Sequence, residues 1–525
     1  MDSLDAVTLE VFKHLMLAIP EEMGGNLRRT AFSPNIKERR DESCALFDAQ
    51  GRLIAQAEHI PVHLGAMPSA VEAVMKDFPT PAPGDQVIVN DPYRGGSHLP
   101  DVTLIAPFFW KGKLKGYCVN RAHHADIGGK TPGSMPGVST TLQEEGMVIP
   151  PTRMVHEGSV SQRILRRFQA ETRNPEERLG DLYAQIGANT LGVSRCVGFI
   201  SRYGEDTFDA FVDAIIEYSA KRVKHWLSGL PDGQVSATDY MDGDHHPIPI
   251  AVTITLRGDR LSADFTETAS QDPGNMNAPI SVTRSAVYYV LRCLLPPDIP
   301  PNHGCYQGVQ VLAPPGSLLN PTPPAAVSSG NVETSQRVVD TLLLALGDLL
   351  PDKIPAQGQG TMNNLSMGWT EKTYYETIGG GMGGSPKTPG ASAVQVHMTN
   401  TANTPTEVLE STYPLRVLKT CLRDGSGGSG LNPGGLGITK EIRFRRAAQV
   451  SIQSERRTFP PKGKAGGSNA QCGINLIRDW DGKEQTLPGR VTLHVKAGET
   501  LIIHTPGGGG WGYKLKFRTQ CNALR

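Results

Sequence analysis

The densest run of candidate metal ligands lies between Asp91 and Asp126, in the segments DPYRGGSHLPD and RAHHADIGG. Imidazoles and carboxylates hold zinc, manganese or iron while leaving positions open for water, and such an ion readies water for hydrolysis. Residues 102–109 (VTLIAPFF) and 114–121 (LKGYCVNR) read as two strands joined around Lys111, Gly112 and Lys113, so facing residues have numbers summing to about 224. Asp101 then stands opposite His123. His98 lies three residues before Asp101 in a loop with Gly95, Gly96 and Pro100, where one bend aims both side chains the same way. The hairpin mouth therefore offers two imidazoles and a carboxylate to one divalent ion. A lone loop histidine is ordinarily solvated or hydrogen-bonded; the predicted convergence of three groups brings the ligand reading level with that one. His124 and Asp126 are expected to orient ligands or cap the local chain rather than coordinate.

A second hairpin is predicted over residues 43–56, with SCALFD and RLIAQ flanking a glycine turn near Gln50. Its mouth brings Asp41 toward Glu58 and His59. The pattern leaves open whether Asp41, His59 or His63 supplies a fourth ligand.

Other chemistries fit less well. GGKT at 128–131 matches the end of a phosphate-binding loop, but His124 replaces its first glycine and Pro132 follows directly. No G-x-S-x-G elbow occurs and no cysteine neighbours a histidine, so side-chain nucleophiles are the weaker reading; Cys118, in an apolar strand, reads as packing. The glycine clusters at 379–384 and 425–430 lack the strand, helix and lysine context of an anion cradle and read as tight turns or close backbone contacts.

The elements that must position these residues are mixed. Leu4, Val7, Val11 and Leu15 predict an opening helix, capped by Ser3 and ending near Gly24 and Gly25. Residues 87–90 read as a strand, 173–226 as helical, IAVTITLRG and RLSADF as a strand pair, and 281–294 and 335–350 as helices. From about Leu365 the chain is short-stranded and glycine-punctuated, without a repeat period. The expectation is a multidomain α+β fold: a metal-bearing region over 1–230, a mixed α/β region over 231–364 and a β-rich region over 365–525.

Chain length and charge bound the function. The 525 residues suggest about three to four domains. Lys plus Arg and Asp plus Glu both number 52, so no overall field recruits nucleic acid or an anionic membrane. The 58 glycines and 40 prolines exceed their usual joint share of about 12%. The eight cysteines show no C-x-x-C spacing, which fits neither a disulfide framework nor a thiolate zinc site. Acidic opening residues and the lack of a long apolar run predict neither a secretion signal nor a membrane span. A soluble, cytoplasmic protein with buried, inert thiols is expected.

NIKERRDESCALFD, HIPVHLGAMP, NDPYRGGSHLPD, RAHHADIGG, EEGMVIPP, VHMTNTANTP, DGSGGSGLNPGGLG and TPGGGGWG together resemble the hydantoinase B family over essentially the whole chain. That family includes subunits of ATP-dependent N-methylhydantoinases, 5-oxoprolinases and caprolactamases, and is related to acetone and acetophenone carboxylase alpha subunits. The resemblance implies a divalent metal held by Asp41, His98, Asp101 and His123. Glu42 departs from the aromatic residue usual there, and would alter metal affinity or point into solvent. The resemblance also implies a hetero-oligomer, in which an A-type partner uses ATP and Mg to phosphorylate the oxygen of a small cyclic amide. This chain would then hydrolyse the ring, with His124 or Asp126 orienting ligands or moving a proton and Arg94 holding phosphate or a carbonyl. A metal-dependent ketone carboxylase subunit is the alternative, and a non-catalytic scaffold a second.

Overall fold

The computed structural model describes residues 5–57, 60–243 and 246–513. Helix α1 (Ala6–Thr30) is capped by Asp5, whose carboxylate accepts the N–H groups of Val7 and Thr8 at 2.9 Å. The expected cap, Ser3, lies outside the described residues. The helix does not stop near Gly24: it continues one and a half turns, because that buries Leu27 beside Met23. A short helix, α2 (Pro34–Lys37), leads into the first sheet.

That sheet has seven strands in the order β2-β1-β5-β4-β3-β6-β7. They are β1 (Glu42–Asp48), β2 (Leu53–Gln56), β3 (Gln86–Val89), β4 (Asp101–Trp110), β5 (Lys113–His123), β6 (Thr152–His156) and β7 (Ser159–Val160). Both faces are covered. Cys44 and Leu46 of β1 pack with Phe108, Cys118, Phe208 and Phe211 in one core, while Ala45 and Phe47 pack with Val71, Ile105 and Val119 in another. Strands buried on both sides read as continuous apolar runs rather than as alternation, which is why β4 was visible in the sequence. Helix α3 (Ala66–Asp77) supplies Met67, Ala70, Val71 and Val74 to the second core. The helix α4 (Leu142–Glu145) contributes Leu142 to a third, with residues of α5 (Gln162–Glu171). Helices α6 (Pro175–Tyr203) and α7 (Glu205–Ser228) pack with α1 on the first.

The β4–β5 turn is shorter than expected. Only Lys111 and Gly112 form it, at φ 48° and 79°, both in the left-handed region, and Trp110 faces Lys113. A bulge between Phe108 and Phe109 then shifts the ladder by one residue and restores the expected pairing of Asp101 with His123.

The next sheet runs β11-β10-β9-β8, from β8 (Gly233–Met241), β9 (Ile248–Arg257), β10 (Arg260–Asp264) and β11 (Val309–Leu312). Its core is completed by α8 (Ile280–Leu294) and α9 (Ser335–Leu349). A π-helical turn, Gly330–Thr334, enters α9. The remaining chain interleaves two sheets. One, β13-β12-β16-β19, uses β12 (Asn364–Gly368), β13 (Thr373–Glu376), β16 (Ala448–Gln453) and β19 (Arg490–Val495). The other, β14-β15-β20-β17-β18, uses β14 (Leu415–Arg423), β15 (Gly437–Phe444), β17 (Ile474–Arg478), β18 (Glu484–Leu487) and β20 (Thr500–His504). Helix α10 (Thr406–Thr412) precedes β14. The α+β expectation holds.

The glycine clusters are close backbone contacts. The Gly508 N–H donates to Gly435 at 2.9 Å and the Gly435 N–H to Met382 at 2.8 Å. A Cβ on Gly381 would meet the Gly435 oxygen at 2.0 Å. Among the described residues all seven cysteines are free, and Cys44, Cys118, Cys196 and Cys305 are buried as expected. Cys293 and Cys421 are exposed instead, the latter on the edge strand β14; Cys521 lies outside the described residues. No described helix is long and apolar enough to cross a membrane.

Candidate metal centre

Three neighbouring strand ends build the site. His123 closes the central strand β5, Asp101 opens β4 on one side of it, and Asp41 immediately precedes β1 on the other. The His123 N–H donates to the Asp41 carbonyl at 3.1 Å, which extends the β1–β5 ladder by one step. His98 is brought in by the bend before β4, where the Asp101 N–H donates to the His98 carbonyl at 3.1 Å.

Their side chains converge. His98 Nδ1 lies 3.0 Å from Asp101 Oδ2, and His123 Nδ1 lies 3.5 Å from Asp101 Oδ1. One ligand atom from each of the three falls within 4.8 Å of the others. Asp41 Oδ2 stands 4.0 Å from His123 Nδ1. All four residues are buried.

The electrostatics fit a cation. Neither ring nitrogen of His98, nor Nε2 of His123, makes a hydrogen bond, although all three are buried. Burial lowers the His123 imidazole pKa below its ordinary value and so favours its neutral, ligating form. Burial would raise the Asp101 carboxyl, but attraction from His98 and His63, with hydrogen bonds from His123 and His63, holds it well below the usual carboxylate range. Unpartnered imidazole nitrogens facing an ionised carboxylate are the donor set that zinc, manganese or iron takes.

Surrounding residues brace the cluster. Ser97 Oγ donates to Asp101 Oδ2 at 2.5 Å, and buried Arg121 donates to Ser97 Oγ at 3.3 Å. His63 reaches Asp101 Oδ2 through Nε2 at 3.5 Å, while its Nδ1 meets Ser43 Oγ at 2.8 Å. Arg39 lies 3.9 Å from Asp41 Oδ2. Tyr375, from β13, stacks on His123 with ring centroids 4.5 Å apart and planes 11° apart. Of these, His63 was a candidate from sequence; Ser97, Arg39 and Arg121 lay inside or beside noted motifs but carried no separate signal, and Tyr375 carried none.

The structure sends the other predicted residues elsewhere. His124, one step past His123, turns the opposite way: its Nε2 meets Gln185 Oε1 on α6 at 2.9 Å, and burial pushes its pKa down to about 4. Asp126 accepts N–H groups from Gly128, Gly133 and Arg173 at 2.9–3.0 Å and the Arg173 guanidinium at 2.9 Å, so it ties a loop together. Arg94 is partly exposed and pairs with Asp77. Glu42 does not point into solvent: its side chain is wholly buried and pairs with Arg28 at 3.0 Å, and burial pushes its pKa up to about 7. Glu58 and His59 lie outside the described residues.

A family model described as hydantoinase B/oxoprolinase matches residues 5–514. The chain is 43% identical to 5-oxoprolinase 1 of Arabidopsis thaliana, over 97% of this chain but only 42% of that protein. It thus spans less than half the length of that plant relative. It is 31% identical to the putative B-type component of a D-/L-hydantoinase from a Pseudomonas species, over 98% of this chain and 91% of the other. Among solved structures, the ATP-dependent caprolactamase from Pseudomonas jessenii superposes with a TM-score of 0.91 at 28% identity, covering 98% of this chain and 92% of that one. A nucleotide-free acetone carboxylase shares the fold, with a TM-score of 0.89 at 17% identity over 97% of this chain and 76% of the other.

Proposed function

The chain belongs to the hydantoinase B/oxoprolinase family, and on that premise we propose that it is the hydrolytic, B-type subunit of an ATP-dependent cyclic amide hydrolase. The observation that carries this reading is the convergence of His98, Asp101 and His123, with Asp41 beside them, at one buried point. These four would hold a divalent ion, which when bound supplies Lewis acidity and lowers the pKa of water from about 15.7 to about 7. Ser97 and His63 fix the Asp101 carboxylate, and the ladder bond to Asp41 fixes the strand end that bears His123.

A ring amide resists water because its carbon is a poor electrophile. Phosphorylation of the amide oxygen removes that obstacle, and we assign it to an A-type partner that uses ATP and Mg. The names of the Pseudomonas hydantoinase component and of the ATP-dependent caprolactamase support this division of labour. The test is to purify the complex and score a panel of cyclic amides by ATP consumption and ring-opened product. His98→Ala is expected to lose ring opening while the partner's ATPase activity stays measurable; ring opening at the wild-type rate overturns the assignment. Label from bicarbonate appearing in product would instead establish the ketone carboxylase alternative.

A further inference from the structure

The stack on His123 continues into a chain of buried hydrogen bonds. Tyr375 donates its hydroxyl to Asn364 Oδ1 at 2.7 Å. The Asn364 amide donates to Glu333 Oε1 at 2.8 Å and to the Gln453 carbonyl at 3.0 Å, which uses both of its hydrogens. Glu333 sits in the π-helical turn before α9 and also accepts the Met362 N–H at 3.0 Å. Glu333, Asn364 and Tyr375 are 0%, 1% and 2% exposed. Burial holds the Tyr375 phenol well above its ordinary pKa, so it stays a donor. Tyr375 is also held by Arg39, whose guanidinium carbon lies over the ring 4.8 Å from its centroid and which donates to the Tyr375 carbonyl at 3.1 Å.

A ring stacked at 11° cannot rotate about χ2 without losing its partner. The plane of His123 sets the plane in which its nitrogens point, and in that plane Nδ1 faces Asp101 and Asp41. π-Helical turns are rare and recur at functional sites, which suits an anchor of this kind.

We infer that Glu333, Asn364 and Tyr375 are positioning residues that lock the imidazole plane of His123, and so set the affinity of the site for a divalent cation. This rests on the reading of His123 as a ligand. Removing an outer partner of a metal ligand commonly weakens binding by about 10–100-fold.

The test titrates the full chain, stripped of metal, with Co2+ and reads its ligand-field absorption. Tyr375→Leu, which removes the stack, is expected to bind Co2+ at least about 10-fold more weakly. Tyr375→Phe keeps the ring but loses its anchor, and is expected to bind more weakly than wild type with a shifted spectrum. Glu333→Leu should match Tyr375→Phe, whereas Glu333→Gln keeps an oxygen acceptor for Asn364 and should restore wild-type binding. His98→Ala separates metal binding from positioning. If it binds Co2+ as wild type does, the metal reading itself fails. If it loses Co2+ while Tyr375→Phe and Glu333→Leu bind with unchanged affinity and spectrum, the positioning chain fails alone. Should Tyr375→Leu not fold, the near-isosteric Tyr375→Phe and the two Glu333 variants decide the matter.

Discussion

His123 and Asp41 meet across adjacent strands, with the His123 N–H donating to the Asp41 carbonyl at 3.1 Å while their side chains stand 4.0 Å apart. Because β5 lies between β1 and β4, the same imidazole is flanked by a carboxylate from each neighbour. The two flanks are unequal. Asp101 is bound into the cluster by Ser97, His98 and His63, whereas Asp41 is attached through its backbone and the more distant Arg39.

This asymmetry predicts graded effects on metal content. Asp101→Asn removes the central negative charge and is expected to leave the purified protein without bound metal. Asp41→Asn should retain metal with reduced affinity. Elemental analysis after identical chelator washes checks the order, and equal loss in both variants would contradict it.

Stability should depend on pH through Glu333. Burial pushes its folded pKa up to about 8, against an ordinary value of about 4.3. Between those values the unfolded chain releases a proton that the folded chain keeps. Folding therefore weakens as pH rises from about 4.3 to about 8, by on the order of 5 kcal/mol. Glu333→Gln cannot ionise, so it should melt several degrees higher than wild type at pH 8 and at the wild-type temperature at pH 4. Parallel melting curves at both pH values would rule this out.

How much of this site the sequence disclosed follows from the range over which its pairings act. The β4–β5 hairpin is local, and its apolar runs and KGK turn revealed both strands. Its register came out correctly because the shorter turn and the Phe108–Phe109 bulge compensate. The local pattern places Asp41 at the mouth of its own hairpin, but an interior strand has two neighbours, and the one that matters, β5, arrives much later in the chain. Tyr375 and Glu333 come from other layers of the fold, where no short-range pattern marks a residue as facing His123. His124 neighbours His123 in sequence, yet successive strand-end residues point to opposite faces, and its Nε2 meets Gln185.

That opposition predicts a clean separation of roles. Asp126 anchors three backbone N–H groups and Arg173, so Asp126→Ala, which leaves those N–H groups without their acceptor, should destabilise the chain by about 3 kcal/mol. Metal stoichiometry in the folded fraction should be unchanged. His124→Gln should likewise retain metal, since its known partner is Gln185. A metal-free but folded His124→Gln protein would return that residue to the centre.

The glycine clusters predict a different kind of failure. Gly381 passes so close to two other segments that a Cβ there would meet the Gly435 oxygen at 2.0 Å and the Gly508 nitrogen at 2.2 Å. Both obstacles are backbone, held by their own hydrogen bonds, so neither can give way as a flexible side chain would. Gly381→Ala must therefore part the two irregular segments that contain residues 435 and 508, and is expected to lower the melting temperature strongly or prevent soluble expression. Gly482, whose Cβ would meet nothing within 4 Å, serves as the control despite its φ of 88°. Alanine there carries only the strain of the left-handed region, about 1 kcal/mol. If both variants melt alike, backbone strain rather than close packing accounts for the glycines, and the clusters are ordinary turns.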